Sequence, residues 1–345
     1  MVQKNCHISW GGNMKKKTIV LIILDILILI GIFLTYGPYN YPRELFITTA
    51  MTTKEHQFLA RTLFSDATIN RVMTSNYVAV FNEDTNIDEI DFNNNETTVY
   101  DSIYEEQILK KDPNNDLYKI IPVSGPNYAG YITVIYDPSR VTLALSKYLG
   151  DRGQSLKVMA KNNNAKVAIN ASGFLDINWM GNGGTPTGNI IHNGKVYNYG
   201  YEVSGGGFIG FNDKHVLMLL RGTAEDAVNQ GLQEAVEFGP FLIVNGKPAF
   251  IKGNGGWGIA PRTAIAQRKD GIVLFVTIDG RQPGYSIGID MVELTKLLTR
   301  YKAHNAANLD GGSSTGLVVE KEIYNKPVAS GAEGLRDIPN AWILK

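Results

Sequence analysis

The run 18–34, in which every residue except Asp25 and Gly31 is Ile, Val, Leu, Phe or Thr, constrains this chain more than any other stretch. It follows Lys15, Lys16 and Lys17. As a helix it is slightly short of the ~20 residues that cross a bilayer, and Asp25 near its middle costs about 2.5–3.5 kcal/mol on insertion scales. The large aliphatic residues around Asp25 offset that cost. A cleaved signal peptide fits less well, because the run exceeds a signal core of ~7–15 residues and no small-x-small pattern follows in Thr35-Tyr36-Gly37-Pro38-Tyr39. The expectation is an uncleaved single-pass anchor over 18–36, with 1–17 as a short cytoplasmic N-terminus. Lys4 and the lysine triplet precede the span and only Arg43 closely follows it, so the positive-inside rule puts the remainder outside the cytoplasm, at the cell membrane.

That remainder is long enough for one large domain and an accessory region. The chain's 33 basic and 33 acidic side chains balance, which argues against a nucleic-acid partner. Cys6, the sole cysteine, precedes the span, so the exported part has no disulfide, thiol nucleophile or Cys-based metal site. His56, His192, His215 and His304 are scattered, which gives no metal-ligand pattern, and no cofactor motif is found.

Residues 37–126 are polar and mixed, with a helical apolar pattern at Phe58, Leu59, Leu63 and Phe64 and an acidic, Asn-rich stretch over 82–95. They read as a partly helical extracytoplasmic stem. From 127 to 345 the composition shifts to β-branched and aromatic runs separated by glycines, beginning with Tyr131-Ile132-Thr133-Val134-Ile135-Tyr136. Asn193-Gly194 and Asn245-Gly246 read as hairpin turns. Asp290, with Glu293 three residues on, caps a helix whose apolar positions are 291, 294, 297, 298 and 301. A strand over 272–278, that helix and a strand before Asp310 make a βαβ unit joining parallel neighbours. The fold class expected is α+β or α/β, a mixed sheet with at least one such crossover near the C-terminus. In that arrangement Asp279 and Asp310 emerge at one sheet edge, where ligands bind in such folds.

Asn308-Leu309-Asp310-Gly311-Gly312-Ser313-Ser314-Thr315 carries the strongest chemical pattern. A carboxylate, two glycines that bare backbone amides, and three hydroxyls suit a polyhydroxy or phosphorylated ligand; a decorated hairpin turn is the plain alternative. Arg262 follows Pro261 and the loop Gly253-Asn254-Gly255-Gly256-Trp257-Gly258, then leads into an apolar strand, which suits a guanidinium held at a cleft mouth. Trp257 suits stacking on a sugar face or packing as a lid.

Taken together, the motifs over 128–345 resemble the phosphodiester glycosidase family. The resemblance rests on Ile169-Asn170 with small residues and Phe174, Gly239-Pro240, Arg262-Thr263-Ala264, Asp279-Gly280-Arg281, the Asp310-Gly311-Gly312-Ser313-Ser314 stretch, and Arg336-Asp337-Ile338-Pro339-Asn340-Ala341. Two positions depart from the family pattern: Ser313 and Ser172 stand where glycines are frequent. The resemblance implies hydrolysis of a sugar-1-phosphodiester at its anomeric C–O bond, on a sugar-phosphate or cell-envelope glycan such as an exopolysaccharide. Asp310 and Asp279 would act at the sugar. Arg262, Arg281 or Arg336 would clamp the phosphate, with the Gly311 and Gly312 amides and the Ser313 and Ser314 hydroxyls. Thr263 and Gly280 belong to the same motifs, and Asn170 and Asn340 would orient hydroxyls. The competing readings are a non-catalytic surface glycan-binding or assembly protein and, with weaker support, a metal-dependent phosphodiesterase that breaks the P–O bond.

Overall fold

In a computed structural model of the protein, residues 16–53, 56–92, 99–176, 181–200 and 206–345 are described, in two units, 1–46 and 47–345. The expectations placed on Lys4, Cys6 and Lys15 lie outside the described residues. The apolar run forms the helix Lys16–Tyr36, which buries no residue and is long and apolar enough to cross a membrane.

The larger unit is built on three antiparallel sheets. The central one has seven strands in the order Lys247–Pro248, Phe241–Val244, Ala303–Asn308, Arg262–Arg268, Val273–Ile278, Ala129–Ile135 and Tyr118–Ser124. A five-stranded sheet runs Glu322–Ile323, Leu317–Val319, Val167–Asn170, Asn340–Leu344, Val141–Leu145, and another runs Leu217–Leu220, Gly207–Asn212, Leu232–Phe238, Ile190–His192, Lys195–Asn198. The runs are continuously apolar because both faces of the central sheet are covered. With the strand period of two, Ile265, Val273, Phe275 and Ala307 enter one core with Trp342, Ile169 and Phe211 of the other sheets. Ala264, Leu274, Val276 and Ala306 enter a second core with Leu294, Leu297 and Leu298 of the helix Met291–Arg300.

That helix starts as expected, with the Asp290 carboxylate accepting from Glu293 N at 2.9 Å. The reciprocal arm of a capping box is replaced by a Glu293–Lys296 ion pair at 2.8 Å. Both Asn-Gly pairs turn hairpins, with positive φ at Asn193, Gly194, Asn245 and Gly246.

The expected crossover takes a different form. Val273–Ile278 and Ala303–Asn308 flank the helix in sequence, but Arg262–Arg268 lies between them and pairs antiparallel with both. The two strands therefore run in the same direction without being neighbours. The local cause is the turn at Asp270-Gly271. Gly271 has φ 81°, and Asp270 binds Arg268 Nε and Ile272 N, which closes 262–278 into a hairpin over a short local turn.

The stem also differs. The strand Tyr118–Ser124 pairs along its whole length with Ala129–Ile135, so the central sheet begins upstream of the compositional boundary at 127. The pattern at Phe58, Leu59, Leu63 and Phe64 forms the helix Gln57–Leu63 with Phe64 as its C-cap; Phe64 is buried, while Phe58, Leu59 and Leu63 are exposed and only Ala60 within the helix is buried. A small core of Ile47, Ala50, Ala60, Phe64, Ile69 and Val72 holds the segment together.

Candidate active site

The Asp310 loop is sewn to two sheets by its backbone. Leu309 N donates to Thr263 O at 2.9 Å, Asp310 N to Ala171 O at 3.0 Å and Gly312 N to Pro261 O at 2.8 Å. Asn170, fully buried at the end of Val167–Asn170, donates from Nδ2 to Asp310 O at 2.6 Å and accepts from Thr263 Oγ1 at 2.7 Å and Gly316 N at 3.2 Å. Asn170 and Thr263 thus fix the Asp310 main chain from behind. Gly311 is required by close approach, since a Cβ there would lie 2.8 Å from Pro261 O; Gly312 is required by its φ of +60°.

Those bonds correct one expectation. The Gly311 and Gly312 amides are not bared for an anion: the first donates to Asp310 Oδ1 at 3.0 Å and the second to Pro261 O. The positive groups of the site are side chains.

Asp310, Gly311, Gly312, Ser313 and Ser314 line a cleft of about 990 Å³ with Arg262, Arg281 and Arg336. Arg281 Nη1 donates to Ser313 Oγ at 3.0 Å, placing its guanidinium beside the loop. Arg262 is buried, with Nη2 donating to Trp257 O and to Gly258 O and Nε to Ile289 O at 3.4 Å, while Nη1 makes no hydrogen bond among the described residues. Burial, reinforced by the Arg281 charge, lowers the Arg262 pKa to about 10, and Asp290 and Asp310 oppose that shift. Arg336 stands 4.6 Å from the Phe174 ring centre and donates to Asp176 Oδ2 at 2.8 Å.

Asp176 was not legible as a site residue. Its carboxylate lines the cleft, held by Arg336 and by Gly181 N at 2.8 Å. The one clue available was an acid shortly after a strand end, in Phe174-Leu175-Asp176. Phe174, Phe238 and Trp257 add aromatic surface, and Thr52, Thr53 and the exposed His56 add polar groups from the segment assigned to the stem.

Five expected residues stand outside the lining: Asp279, Gly280, Asn170, Thr263 and Asn340. Asn340, fully buried, holds the turn before Phe174 by accepting from Ser172 N and donating to Ser172 Oγ, both at 2.8 Å. Gly280 packs where a Cβ would lie 2.7 Å from Pro261 N. Asp279 does emerge at the same end of the sheet as Asp310, but the residue is only 1% exposed. It accepts from Asn325 Nδ2 at 2.9 Å, Lys326 N at 3.0 Å and Tyr285 Oη at 2.9 Å. Burial raises its pKa, against the pull of those donors. Among the described residues no three His, Cys, Asp or Glu side chains converge as a metal site.

The sequence profile of the phosphodiester glycosidase family matches residues 163–345. A curated relative is the SPbeta prophage-derived uncharacterized protein YomE of Bacillus subtilis (strain 168), 30% identical over 214 residues, which cover 58% of this chain and 31% of that protein. The chain thus spans about a third of the length of that relative. Among solved structures, the chain is similar to the zebrafish N-acetylglucosamine-1-phosphodiester alpha-N-acetylglucosaminidase catalytic domain auto-inhibited by its pro-peptide, with TM-score 0.54 and 21% identity over 68% of this chain and 85% of that one. It is also similar to a hypothetical protein from Synechocystis, with TM-score 0.51 and 16% identity over 66% and 61% of the two chains. At such identities these two likenesses describe the fold.

Proposed function

This chain belongs to the phosphodiester glycosidase family, and from that premise we propose that it hydrolyses a sugar-1-phosphodiester at the anomeric C–O bond, releasing a free sugar and a phosphomonoester. The observation that carries this reading is the lining of the cleft, where the Asp310 carboxylate shares a wall with Arg281, Ser313 and Arg262. In most glycosidases a protonated carboxyl must assist a departing alcohol. A phosphate monoester, with a second pKa of about 6, leaves with little such help, and what it needs is a site for its charge. Arg281 and Arg262 Nη1 meet that need, while Asp310 acts at C1 as nucleophile or base. Phe174, Phe238 and Trp257 offer faces for the sugar ring. The anchor and its lysines would hold the cleft outside the cytoplasm, against glycans of the cell envelope.

Hydrolysis of an alpha-linked N-acetylglucosamine-1-phosphodiester in heavy-oxygen water tests the bond assignment. The expected product carries the label on the sugar. Label on the phosphate means P–O cleavage and removes the glycosidase reading; saturable glycan binding with no turnover of any sugar phosphodiester replaces it with a binding protein. Arg281→Ala removes a charge-assisted hydrogen bond to the phosphate, worth about 1.5–3 kcal/mol, so kcat/KM should fall about 10- to 100-fold. Unchanged kinetics in Arg281→Ala would take that side chain out of the phosphate site.

A further inference from the structure

We propose that residues 48–53 and 56–76, which composition assigns to a stem, form a positioning wall of the cleft that clamps the glycine-rich loop 253–259 and through that loop fixes Arg262. The inference rests on the reading of Arg262 as an anion-binding group given above. Gly253, Gly255, Gly256 and Gly258 all have positive φ, and a loop of such residues has little stiffness of its own. The N-terminal segment supplies it. Thr48, fully buried, accepts from Asn254 Nδ2 at 2.7 Å, and Asn76 Oδ1 accepts from Asn254 N at 3.0 Å. Thr49 Oγ1 accepts from Ile259 N at 3.1 Å, and the backbones approach so closely that a Cβ on Gly258 would lie 2.4 Å from Thr49 Cα.

The last link reaches the cleft. Gly258 O and Ile259 N belong to one peptide group, so the Thr49 bond sets the carbonyl that accepts from Arg262 Nη2 at 3.0 Å; the same nitrogen donates to Trp257 O, 3.1 Å from Thr52 Oγ1, whose single proton has its nearest acceptor in Thr48 O at 2.7 Å. Arg262 is therefore oriented by carbonyls of a loop whose position is set by residues 48, 49 and 76. Thr52, Thr53 and His56 then continue this wall along the cleft rim.

Thr49 is the link to cut, being only half-buried and replaceable by an isostere. In the full-length chain in detergent, Thr49→Val loses the acceptor for Ile259 N and Thr49→Ser keeps it. Amide exchange over 253–262 should rise about tenfold in Thr49→Val, and kcat/KM on a sugar phosphodiester should fall about tenfold, chiefly through KM, with Thr49→Ser near wild type in both. Unchanged exchange overturns the clamp. A loosened loop with unchanged kcat/KM breaks the link to Arg262, and a rise in kcat/KM means the segment obstructs the cleft. If the wild type turns over no sugar phosphodiester, the proposed function fails by itself, and affinity for inorganic phosphate becomes the readout. A roughly tenfold weaker Kd in Thr49→Val upholds the proposal, while an equal Kd, or no phosphate binding by the wild type, overturns it.

Discussion

An Asp310→Asn protein is expected to fold and bind substrate as the wild type does, yet to turn over about a thousandfold more slowly, within the ~10²–10⁴ that a positioned acid or base contributes. The fold should survive because the loop is held by its main chain. Asp310 N and O bond to Ala171 O and Asn170 Nδ2, and the side chain's bond from Gly311 N needs only an acceptor oxygen, which asparagine retains. What asparagine lacks is negative charge, and that charge is what a carbocation-like centre at C1, or a proton to be abstracted, responds to. The drop should appear in kcat and kcat/KM alike, since the lost interaction belongs to the transition state. Steady-state kinetics with a thermal melt of the same preparation measures both halves, and an Asp310→Asn protein with wild-type kcat takes Asp310 out of the chemistry.

How far this could be read in advance depended on whether the cause was local. Asn193-Gly194, Asn245-Gly246 and the Asp290 cap are contracts between residues at most three apart, and they stand where the sequence places them. That Asp310-Gly311-Gly312-Ser313-Ser314 lines a cleft was legible for a similar reason, because an acid, two glycines and hydroxyls at a strand end suit a polar cavity wall. The strand order was not legible. The Asp270-Gly271 turn was available as a signal, but inserting 262–268 between two other strands depends on pairing over tens of residues. Nor was the docking of 48–53 and 56–76, which uses Thr48, Asn76 and Asn254 rather than an apolar stripe; such polar residues look like a solvated stem until their partners are known. Of its apolar pattern, Phe58, Leu59 and Leu63 point to solvent and only Phe64 is buried. The Gly312 amide illustrates the same limit, because it is spent on Pro261 O, some fifty residues away in the chain.

The two aspartates at one sheet end invite equal roles, and the second prediction separates them. Asp279 Oδ1 receives Asn325 Nδ2 and Lys326 N, just before the cleft-lining residues Val328, Ala329, Ser330 and Gly331, and Oδ2 receives the Tyr285 hydroxyl. Asp279→Ala strands three donors where the carboxylate was, so it should lose about 2–4 kcal/mol of stability, with activity falling as the 328–331 wall loosens. Asp279→Asn keeps an oxygen for the first two donors and offers an amide to the Tyr285 oxygen, so it should retain kcat within about tenfold of wild type. The pH dependence gives a second check. Burial raises the Asp279 pKa in the folded state above its usual 3.8. The protonated form is therefore the one favoured by folding, and its contribution is full below that usual value and lost as pH rises through the folded pKa. Asparagine carries no such contribution, so the stability deficit of Asp279→Asn relative to wild type should shrink between pH 4 and pH 7 in urea unfolding. A deficit that grows over that interval contradicts the sign. An Asp279→Asn protein as inactive as Asp310→Asn would return Asp279 to the reacting atoms, and only the contrast between asparagine and alanine at this one position can tell a buried strut from a catalytic acid.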